Sequence, residues 1–321
     1  MTEFEFEVAD RIAKIKSMNE LYDLEHKAFI SFSGGKDSCV LSKFIDLALP
    51  DNKIPRVFFN TGIEYKAILQ FVRDKAKEDN RIIIHNSLVN IRNMLETKGY
   101  PFKSKEFAQK MYTYQRSGNC KTVTDYIGLT GNKAKTFQCP EKLKVCFTPD
   151  FTLKVSDKCC KELKKKISEK WSKDNDRPIV ITGMTRGEGG VRKSKTACTV
   201  FDEGKLHKFH PLFPVSKDFI DKAIYIYGIE LCKLYKAPYN FGRTGCKGCP
   251  FNMKLKEQLE IMKELLPEEY KQCWILWGKV YKEYERLNYR LTYNTKCSMI
   301  REEGKNEGNI FICLQSKARE L

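Results

Sequence analysis

The chain lacks the long apolar segments that membrane spans require. No run approaches the roughly 18 uninterrupted apolar residues of a membrane helix, although hydrophobic residues make up 41% of the chain. Its first residues, MTEFEFEVAD, are acidic and do not have the basic start and apolar stretch of a secretory signal. These absences predict a globular protein that is cytoplasmic and has no membrane partner.

Internal repeats and low-complexity linkers are also absent, and 321 residues suffice for one large or two modest domains with a substantial core. The chain does contain 13 cysteines. In a secreted protein they would suggest disulfides, but without a signal sequence they are interpreted as metal ligands, catalytic thiols or core residues. The cysteine content therefore favours a metal site or redox chemistry.

Negative charge is scarce relative to positive charge. The chain has 58 Lys and Arg residues against 41 Asp and Glu residues, a formal net charge of +17 that is spread along the sequence. Such a field attracts polyanions, either nucleotides or nucleic acid. The equally weighted alternative is a surface of solvated lysines with no such partner.

Strand-like and helix-like patterns alternate over much of the chain. The predicted strands are 28–32, 56–60, 81–85 and 178–182, and the predicted helices are 3–25, 39–48 and 66–78. This alternation predicts an α/β fold, with a mostly parallel sheet and helices on both of its faces. In such sheets ligands bind at the carboxyl ends of the strands.

Two segments depart from the alternation. Between about residues 100 and 177 the pattern is lost, and this stretch predicts an insertion over the ligand edge of the sheet. It carries Cys120, Cys139, Cys146, Cys159 and Cys160. From residue 252 onward helical spacing resumes, with aromatic residues from Tyr270 to Tyr284 that are expected to be core. The sequence thus predicts an α/β domain over 1–251, with an insertion at 100–177, and a helical cap over 252–321.

Residues 28–38, AFISFSGGKDS, place a short apolar run before a Gly-Gly turn, a lysine and a helix start. Glycines let backbone N–H groups point into one concavity, and a helix N-terminus adds partial positive charge, so this turn suits phosphate. The candidate phosphate-binding residues are Ser33, Gly34, Gly35, Lys36, Asp37 and Ser38. Lys36 can neutralise phosphate charge and Asp37 can help hold Mg²⁺, so both are also catalytic candidates. The alternatives are a turn without a ligand, a surface lysine and a helix-capping aspartate.

The spacing of this turn is neither the GxxxxGK(S/T) of a P-loop nor the GxGxxG of a dinucleotide-binding fold. SGGKDS instead resembles the PP-loop of the ATP-pyrophosphatase superfamily, whose members bind adenine nucleotides and include sulfonucleotide reductases and thiouridine synthetases. The resemblance implies that Asn60, Thr61 and Glu64, directly after the second predicted strand, lie near bound ATP or a bound sulfonucleotide.

A second Gly-rich turn, TGMTRGEGGVR at 182–192, follows the fourth predicted strand. Arg186 and Arg192 bracket this turn, and paired guanidinium groups can grip phosphate or sulfate with parallel hydrogen bonds. The segment resembles the GxRxxExxR element of the phosphoadenosine phosphosulfate reductase family, with one residue fewer before the acidic position. Gly183 is therefore a candidate nucleotide contact, and the two arginines are candidate catalytic residues. A plain basic surface turn is the alternative.

Two close pairs of cysteines are candidate metal ligands. Cys159 and Cys160 are adjacent, and Cys246 and Cys249 form a CxxC motif. Four thiolates can satisfy tetrahedral zinc or a 4Fe–4S cubane. Adjacent cysteines suit neighbouring irons of a cluster better than a single zinc ion, so the cluster is favoured and zinc is the alternative. Core cysteines or an unmetallated redox pair also remain open, as does replacement of one ligand by Cys139 or Cys146.

The phrase RTGCKGCP at 243–250, the Cys159–Cys160 pair and Lys164 resemble the iron–sulfur branch of the sulfonucleotide reductases. From Ala28 to Phe251 the chain is similar to the phosphoadenosine phosphosulfate reductase family. The resemblance implies an adenine nucleotide α-hydrolase-like α/β domain with the cluster near the nucleotide.

One departure decides the predicted function. Sulfonucleotide reductases end in a mobile ECGxH tail whose cysteine attacks the sulfate sulfur, and no such sequence occurs here; Cys313 lies in an apolar run. Other members of the superfamily cleave ATP and adenylate a substrate oxygen, and some of them deliver sulfur with a 4Fe–4S cluster. The sequence predicts a sulfur-transfer enzyme of this kind, acting on DNA or tRNA with a sulfur-donor or electron-donor protein. A sulfonucleotide reductase is the alternative, and a non-catalytic nucleotide-binding module is the third possibility.

Overall fold

The protein is described by a computed structural model that covers residues 1–130, 138–186 and 197–291. Its strands are β1 (Ala28–Ser31), β2 (Arg56–Asn60), β3 (Ile82–Asn86), β4 (Ile179–Ile181), β5 (Thr199–Asp202) and β6 (Lys205–Phe209). Within the described ranges they form one six-stranded sheet in the order β3-β2-β1-β4-β6-β5. All neighbouring pairs are parallel except β5 and β6, which are antiparallel.

Helices connect and cover the strands. They are α1 (Glu3–Tyr22), α2 (Leu24–Lys27), α3 (Lys36–Ala48), α4 (Lys66–Glu78), α5 (Ile91–Lys98), α6 (Lys105–Ser117), α7 (Lys121–Ile127), α8 (Lys166–Asp174), α9 (Lys217–Ile226), α10 (Leu255–Leu265) and α11 (Pro267–Arg286). A π-helical turn at Lys161–Lys165 leads into α8, and short 3-10 segments occur at Glu141–Phe147 and Lys233–Tyr235. No helix in the described ranges is both long and apolar enough to cross a membrane.

The sheet is covered on both faces, because successive side chains of a strand point to opposite sides. Phe29 of β1 and Val57 of β2 pack with Trp171 of α8, and the Phe29 and Trp171 ring centroids are 4.7 Å apart. The alternate residues of β1, Ala28 and Ile30, belong to the larger core. The predicted α/β fold with a parallel sheet and helices on both faces is therefore confirmed.

Strand order places a crevice beside β1. The chain runs from β1 outward through β2 to β3 and then returns to β4 on the other side of β1. Connections that leave in opposite directions open a cleft at the carboxyl ends of the two strands, which is where ligands bind in open α/β sheets. The SGGKDS turn follows β1 and the Gly183 turn follows β4, so both candidate motifs lie at this cleft.

Some elements differ from the sequence-based expectation. The helix after the Gly-Gly turn begins at Lys36, three residues before the predicted start at Cys39. The segment 100–177, where the pattern is lost in sequence, contains α6, α7 and α8. The short strands β5 and β6 were not predicted, because their alternation of apolar and polar residues spans only four and five positions. The predicted C-terminal helices are confirmed by α10 and α11, whereas residues 292–321 of the predicted cap, with Cys313, lie outside the described residues.

A buried ion-pair cluster joins α3 to the start of β2. The Arg56 side chain is fully buried, and it donates to Asp46 at 2.6 Å and to Asn52 at 2.8 Å. Arg81 also donates to Asp46, at 2.8 Å. Burial lowers the pKa of Arg56 to about 10, and the Asp46 carboxylate opposes that effect. Asp46 therefore compensates a guanidinium charge that cannot reach water.

Replacing Asp46 with Ala should reduce the free energy of unfolding by about 1–3 kcal/mol, the range for leaving a buried polar group without one of its partners. The reason is that Arg56 would stay buried without its counter-ion. Urea unfolding measures the change, and Asp150→Ala, which removes an exposed carboxylate, is the matched control. Equal stabilities for the two variants would contradict the assignment.

Candidate functional site

The SGGKDS turn is held by its own serines. The Ser33 backbone N–H donates to Ser38 Oγ at 3.2 Å, and Ser38 Oγ donates to the Gly35 carbonyl oxygen at 2.9 Å. Gly34 has φ +67°, and a Cβ there would lie 2.8 Å from Val72 Cγ2 of α4. The turn thus needs glycine at this position, and it presents the N-terminus of α3 to the cleft, where a helix attracts anions.

Lys36 and Gly183 each connect this turn to a neighbouring element of the fold. Lys36 Nζ lies 3.5 Å from Asp221 Oδ1 of α9, a long ion pair that a phosphate can replace. A Cβ on Gly183 would lie 2.5 Å from the Asp37 carbonyl oxygen and 3.1 Å from Ser38 N. The end of β4 therefore touches the first turn of α3 through backbone atoms, and only glycine permits this approach. The structure brings together the candidates on β1 and β4.

The turn after β2 is built around a carboxylate. Glu64 accepts from the Thr61 backbone N–H at 2.9 Å and from the Thr61 hydroxyl at 2.7 Å. Asn60 Oδ1 accepts from Gly62 N–H at 3.2 Å. Because β2 pairs directly with β1, Asn60 and Thr61 lie on the same edge of the sheet as SGGKDS.

The four candidate metal ligands share one neighbourhood. Burial raises the pKa of Cys159, and Cys160, Cys246 and Cys249 each raise it further. Burial likewise raises the pKa of Cys249 to about 12, with Cys246 and Cys160 adding to the effect. Because the charge of one cysteine raises the pKa of another, the four side chains lie within electrostatic range of each other. The Cys159–Cys160 pair and the CxxC pair are nevertheless far apart in sequence. Burial therefore favours the protonated form of Cys159 and Cys249.

Lys164 connects the cysteines to the turn after β2. Interaction with Cys246, and to a smaller extent with Glu64, raises the pKa of Lys164 against the lowering effect of burial, so its ammonium group lies within electrostatic range of both side chains. Lys164 is part of the π-helical turn that directly follows Cys160, a local geometry that is frequent at functional sites. The ammonium group can therefore stabilise negative charge on sulfur.

The donor set suits a metal–thiolate group, because four thiols lie beside an ammonium group. Within residues 1–130, 138–186 and 197–291, however, no three or more His, Cys, Asp or Glu side chains are arranged to hold a metal ion. A cubane cluster takes one ligand at each of four irons, whereas zinc draws all its ligands around a single centre. Four cysteine donors match the four irons of such a cluster, so the fit rests on donor chemistry and not on a preformed arrangement of the side chains.

Cys139 and Cys146 form a separate pair. Burial raises the pKa of Cys146 to about 12 and Cys139 adds to that effect, whereas none of the four candidate ligands contributes. Burial also raises the pKa of Cys139 to about 11, again without a contribution from those four. Their positions do not favour the substitution of either thiol for a member of the Cys159–Cys160 pair.

A link between the two halves of the site was missed at the sequence level. The hydroxyl group of Tyr235 lies at the Gly-Gly turn, where a Cβ on Gly35 would be 3.2 Å from it, and burial raises the pKa of that phenol to about 12. The same hydroxyl lies 2.8 Å from Thr244 Oγ1, two residues before Cys246. Two hydroxyl groups thus join the phosphate-binding turn to the CxxC loop. Thr244 belongs to the RTGCKGCP phrase, but Tyr235 belongs to no recognisable motif, so their contact could not be predicted from the sequence.

The remaining candidates lie at the β4 side of the cleft. The Arg186 backbone N–H donates to the Phe213 carbonyl oxygen at 2.9 Å, and its side chain is exposed. Arg192 lies outside the described residues, so the paired grip of the two arginines stays a prediction. His210 is buried, and its Nδ1 lies 2.7 Å from Thr182 Oγ1 at the end of β4. This imidazole therefore forms part of the wall of the cleft.

Solved structures with similar folds include three enzymes. Phosphoadenylyl-sulfate reductase from Candida auris, in a phosphate complex, is 13% identical with a TM-score of 0.39, covering 73% of this chain and 93% of that chain. NH3-dependent NAD synthetase from Campylobacter jejuni is 12% identical with a TM-score of 0.38, covering 87% and 95%. The U34-tRNA thiolase of Methanococcus maripaludis, with its 4Fe–4S cluster, is 15% identical with a TM-score of 0.38, covering 88% and 80%. With TM-scores this low, these likenesses carry no argument about the present chain.

No curated protein sequence shows a significant match to the chain. The family comparison is different, because residues 27–252 match the phosphoadenosine phosphosulfate reductase domain. The matched region begins just before β1 and ends just after Cys249, so it contains the cleft, both Gly-rich turns and all four candidate ligands. The chain belongs to the phosphoadenosine phosphosulfate reductase domain family.

Proposed function

We propose that the protein is a PP-loop sulfur-transfer enzyme that adenylates a nucleic-acid substrate with ATP and holds a 4Fe–4S cluster beside the nucleotide. The observation that carries the proposal is the position of the Tyr235 hydroxyl group, which a Cβ on Gly35 would approach to 3.2 Å and which lies 2.8 Å from Thr244 Oγ1. This position supports a nucleotide site and a cysteine-bearing loop in one neighbourhood. Nucleotide chemistry and sulfur chemistry can therefore occur in one cleft.

The nucleotide would bind with its phosphates at the N-terminus of α3. Lys36 would exchange its long contact with Asp221 for a phosphate oxygen, since charge-assisted contacts to phosphate are among the strongest hydrogen bonds. Asp37, in the first turn of the same helix, is placed to share a Mg²⁺ ion with that phosphate. Asn60 and Thr61 would line the neighbouring side of the cleft.

The proposed reaction has two steps. A carbonyl oxygen of the substrate base attacks the α-phosphorus of ATP, the bond to the β-phosphate oxygen breaks, and pyrophosphate leaves. Hydrosulfide, supplied by a sulfur donor, then attacks the activated carbon and AMP leaves with the former carbonyl oxygen, so that C=O becomes C=S without net oxidation. Lys36 and Arg186 would stabilise the charge that develops on the phosphate oxygens in the first step.

Cys159, Cys160, Cys246 and Cys249 would hold the cluster. Its binding would replace the thiol protons that burial now retains, and Lys164 would offset part of the thiolate charge. When bound, the cluster would supply an iron–sulfur redox centre in the cleft beside the nucleotide turn.

A nucleic-acid acceptor is proposed from the distribution of charge. The net charge is +17, and exposed lysines are concentrated in the segment that follows the adjacent cysteines. They are Lys161, Lys164, Lys165, Lys166, Lys170 and Lys173. Such a surface attracts a phosphate backbone, and its closeness to Cys160 would bring a bound DNA or tRNA strand to the cleft.

The alternative function is that of a sulfonucleotide reductase, and one observation favours it. Four cysteines saturate the four irons of a cluster, which leaves no iron open to bind sulfur. In that case the cluster would support a reaction at a bound phosphosulfate, and an electron-donor protein would be the partner.

Replacing Lys36 with Ala should weaken ATP binding about tenfold to a hundredfold, since a charge-assisted contact to phosphate contributes about 1.5–3 kcal/mol. Isothermal titration calorimetry with Mg²⁺-ATP measures the change. Lys43→Ala, two turns further along α3, is the matched control and should bind like the wild type. Equal affinities for the two variants would remove Lys36 from the phosphate site.

Protein purified without oxygen should be brown and contain about four irons per chain, as expected for a cluster with Cys₄ ligation. Cys246→Ser and Cys249→Ser should lose this iron, because each removes one ligand. Cys120→Ser, Cys139→Ser and Cys146→Ser should retain it. Stoichiometric zinc without iron would instead indicate a structural metal site. Loss of iron in Cys146→Ser would show that Cys146 is one of the ligands in place of a member of the proposed set.

Iron-loaded protein incubated with Mg²⁺-ATP, sulfide and bulk tRNA or DNA should release AMP and pyrophosphate and yield a thiolated nucleoside detectable by mass spectrometry. Arg186→Ala should lower turnover more than ATP affinity, as expected for a contact made chiefly in the transition state, whereas Arg73→Ala on α4 should not. Sulfite release from a sulfonucleotide without ATP cleavage would establish the reductase instead. ATP binding without either reaction would favour the non-catalytic module.

A further inference from the structure

The CxxC loop lies against a helix that is not part of the matched family domain. The family match ends at residue 252, and α11 covers Pro267–Arg286. Three aromatic side chains of α11 donate hydrogen bonds to backbone carbonyl groups of this loop. The bonds join Trp277 Nε1 to the Lys247 oxygen at 2.9 Å, Tyr281 Oη to the Gly248 oxygen, and Tyr284 Oη to the Pro250 oxygen at 2.9 Å.

These donors form one stripe along α11. Positions 277, 281 and 284 are separated by four and three residues, the spacing that puts side chains on one face of a helix. All three side chains are fully buried, so neither the donors nor the carbonyl groups can turn to water instead. A buried polar group that loses its partner is costly. The loop therefore has one favourable register against the helix.

The side chain between the two cysteines is also held by α11. Lys247 Nζ donates to Gln272 Oε1 at 2.7 Å and lies 3.8 Å from Glu269 Oε1. These contacts draw the Lys247 ammonium group toward α11, while the Lys164 ammonium group lies within electrostatic range of the Cys246 sulfur. The helix thus influences which lysine faces the thiols.

Contact between the loop and the helix is too close for any side chain at Gly248. Its φ is +60°, and a Cβ there would lie 2.5 Å from Tyr281 Oη and 2.6 Å from Cys273 Sγ. On its other side the loop is attached to the turn after β2, because the Lys247 backbone N–H donates to the Ile63 carbonyl oxygen at 2.8 Å. The CxxC loop is clamped between the sheet edge and α11.

We propose that α11 completes the cysteine site, and that Trp277 and Tyr281 are positioning residues that set the placement of Cys246 and Cys249. The inference rests on the proposed role of these cysteines. It assigns part of the site to a segment beyond the family domain, and it implies that the two thiols are protected only while the aromatic donors hold the loop.

The test compares Trp277→Phe and Tyr281→Phe with Trp274→Phe. Trp274 lies on the same helix, and its buried Nε1 has no hydrogen-bond partner among the described residues. Its replacement with Phe therefore removes an indole N–H without removing a hydrogen bond to the CxxC loop. Metal-free protein is treated with iodoacetamide, and each cysteine is quantified by peptide mass spectrometry. Trp277→Phe and Tyr281→Phe should speed alkylation of Cys246 and Cys249 about fivefold, the effect of one net hydrogen bond on local opening.

Buried Cys39 and Cys232 report on general loosening and should react at the wild-type rate in every variant. The inference is overturned if Trp277→Phe and Tyr281→Phe match Trp274→Phe, or if Cys39 and Cys232 accelerate equally. In iron-loaded protein, the same two variants should lose iron to a chelator several-fold faster and alter the electron paramagnetic resonance spectrum of the reduced cluster. Failure of the wild type to bind iron would refute the proposed cluster, while the alkylation rates would still decide the role of α11.

Discussion

The parallel pairing of β1 with β2 on one side and β4 on the other is the constraint on which the site depends. Each of these strands ends at the same edge of the sheet. The three loops that follow them are distant in sequence, but they begin on neighbouring strands that are about 5 Å apart. The end of β4 and the first turn of α3 approach each other through backbone atoms, since a Cβ on Gly183 would lie 2.5 Å from the Asp37 carbonyl oxygen. Any shift of β4 relative to β1 would therefore move the helix N-terminus that is proposed to bind phosphate.

A second constraint acts on the CxxC loop, which forms hydrogen bonds with three different neighbouring elements. Lys247 bonds to the turn after β2 through its backbone N–H and to α11 through its carbonyl oxygen. Thr244, two residues before the first cysteine, bonds to Tyr235 beside the phosphate turn. The loop is thus hydrogen-bonded to the sheet edge, to a residue beside the nucleotide turn and to the helical cap. A displacement of any of these three elements would change the positions of Cys246 and Cys249.

Electrostatics at the cleft follow from burial as much as from net charge. Cys159, Cys246 and Cys249 lie in surroundings that disfavour the thiolate form, because burial raises the pKa of each of these thiols. Only a metal centre or a nearby ammonium group can hold negative charge on sulfur there. Lys164 lies within electrostatic range of Cys246, and the proposed cluster would supply the remaining positive charge. The same cationic surroundings suit a phosphate-rich substrate.

The sequence alone determined the parts of this protein that depend on neighbouring residues. The strand, Gly-Gly turn and helix around SGGKDS, the helix 66–78 and the strand 56–60 could all be predicted, because apolar periodicity and turn chemistry are local. The two cysteine pairs were also recognisable, because their spacing is a local pattern. Only the tertiary structure decided that the Tyr235 hydroxyl lies between the Gly-Gly turn and Thr244, and that α11 holds the CxxC loop. These contacts join residues far apart in the chain, and hydrogen bonds between distant segments form only where the packing of the sheet and helices brings a donor and an acceptor together.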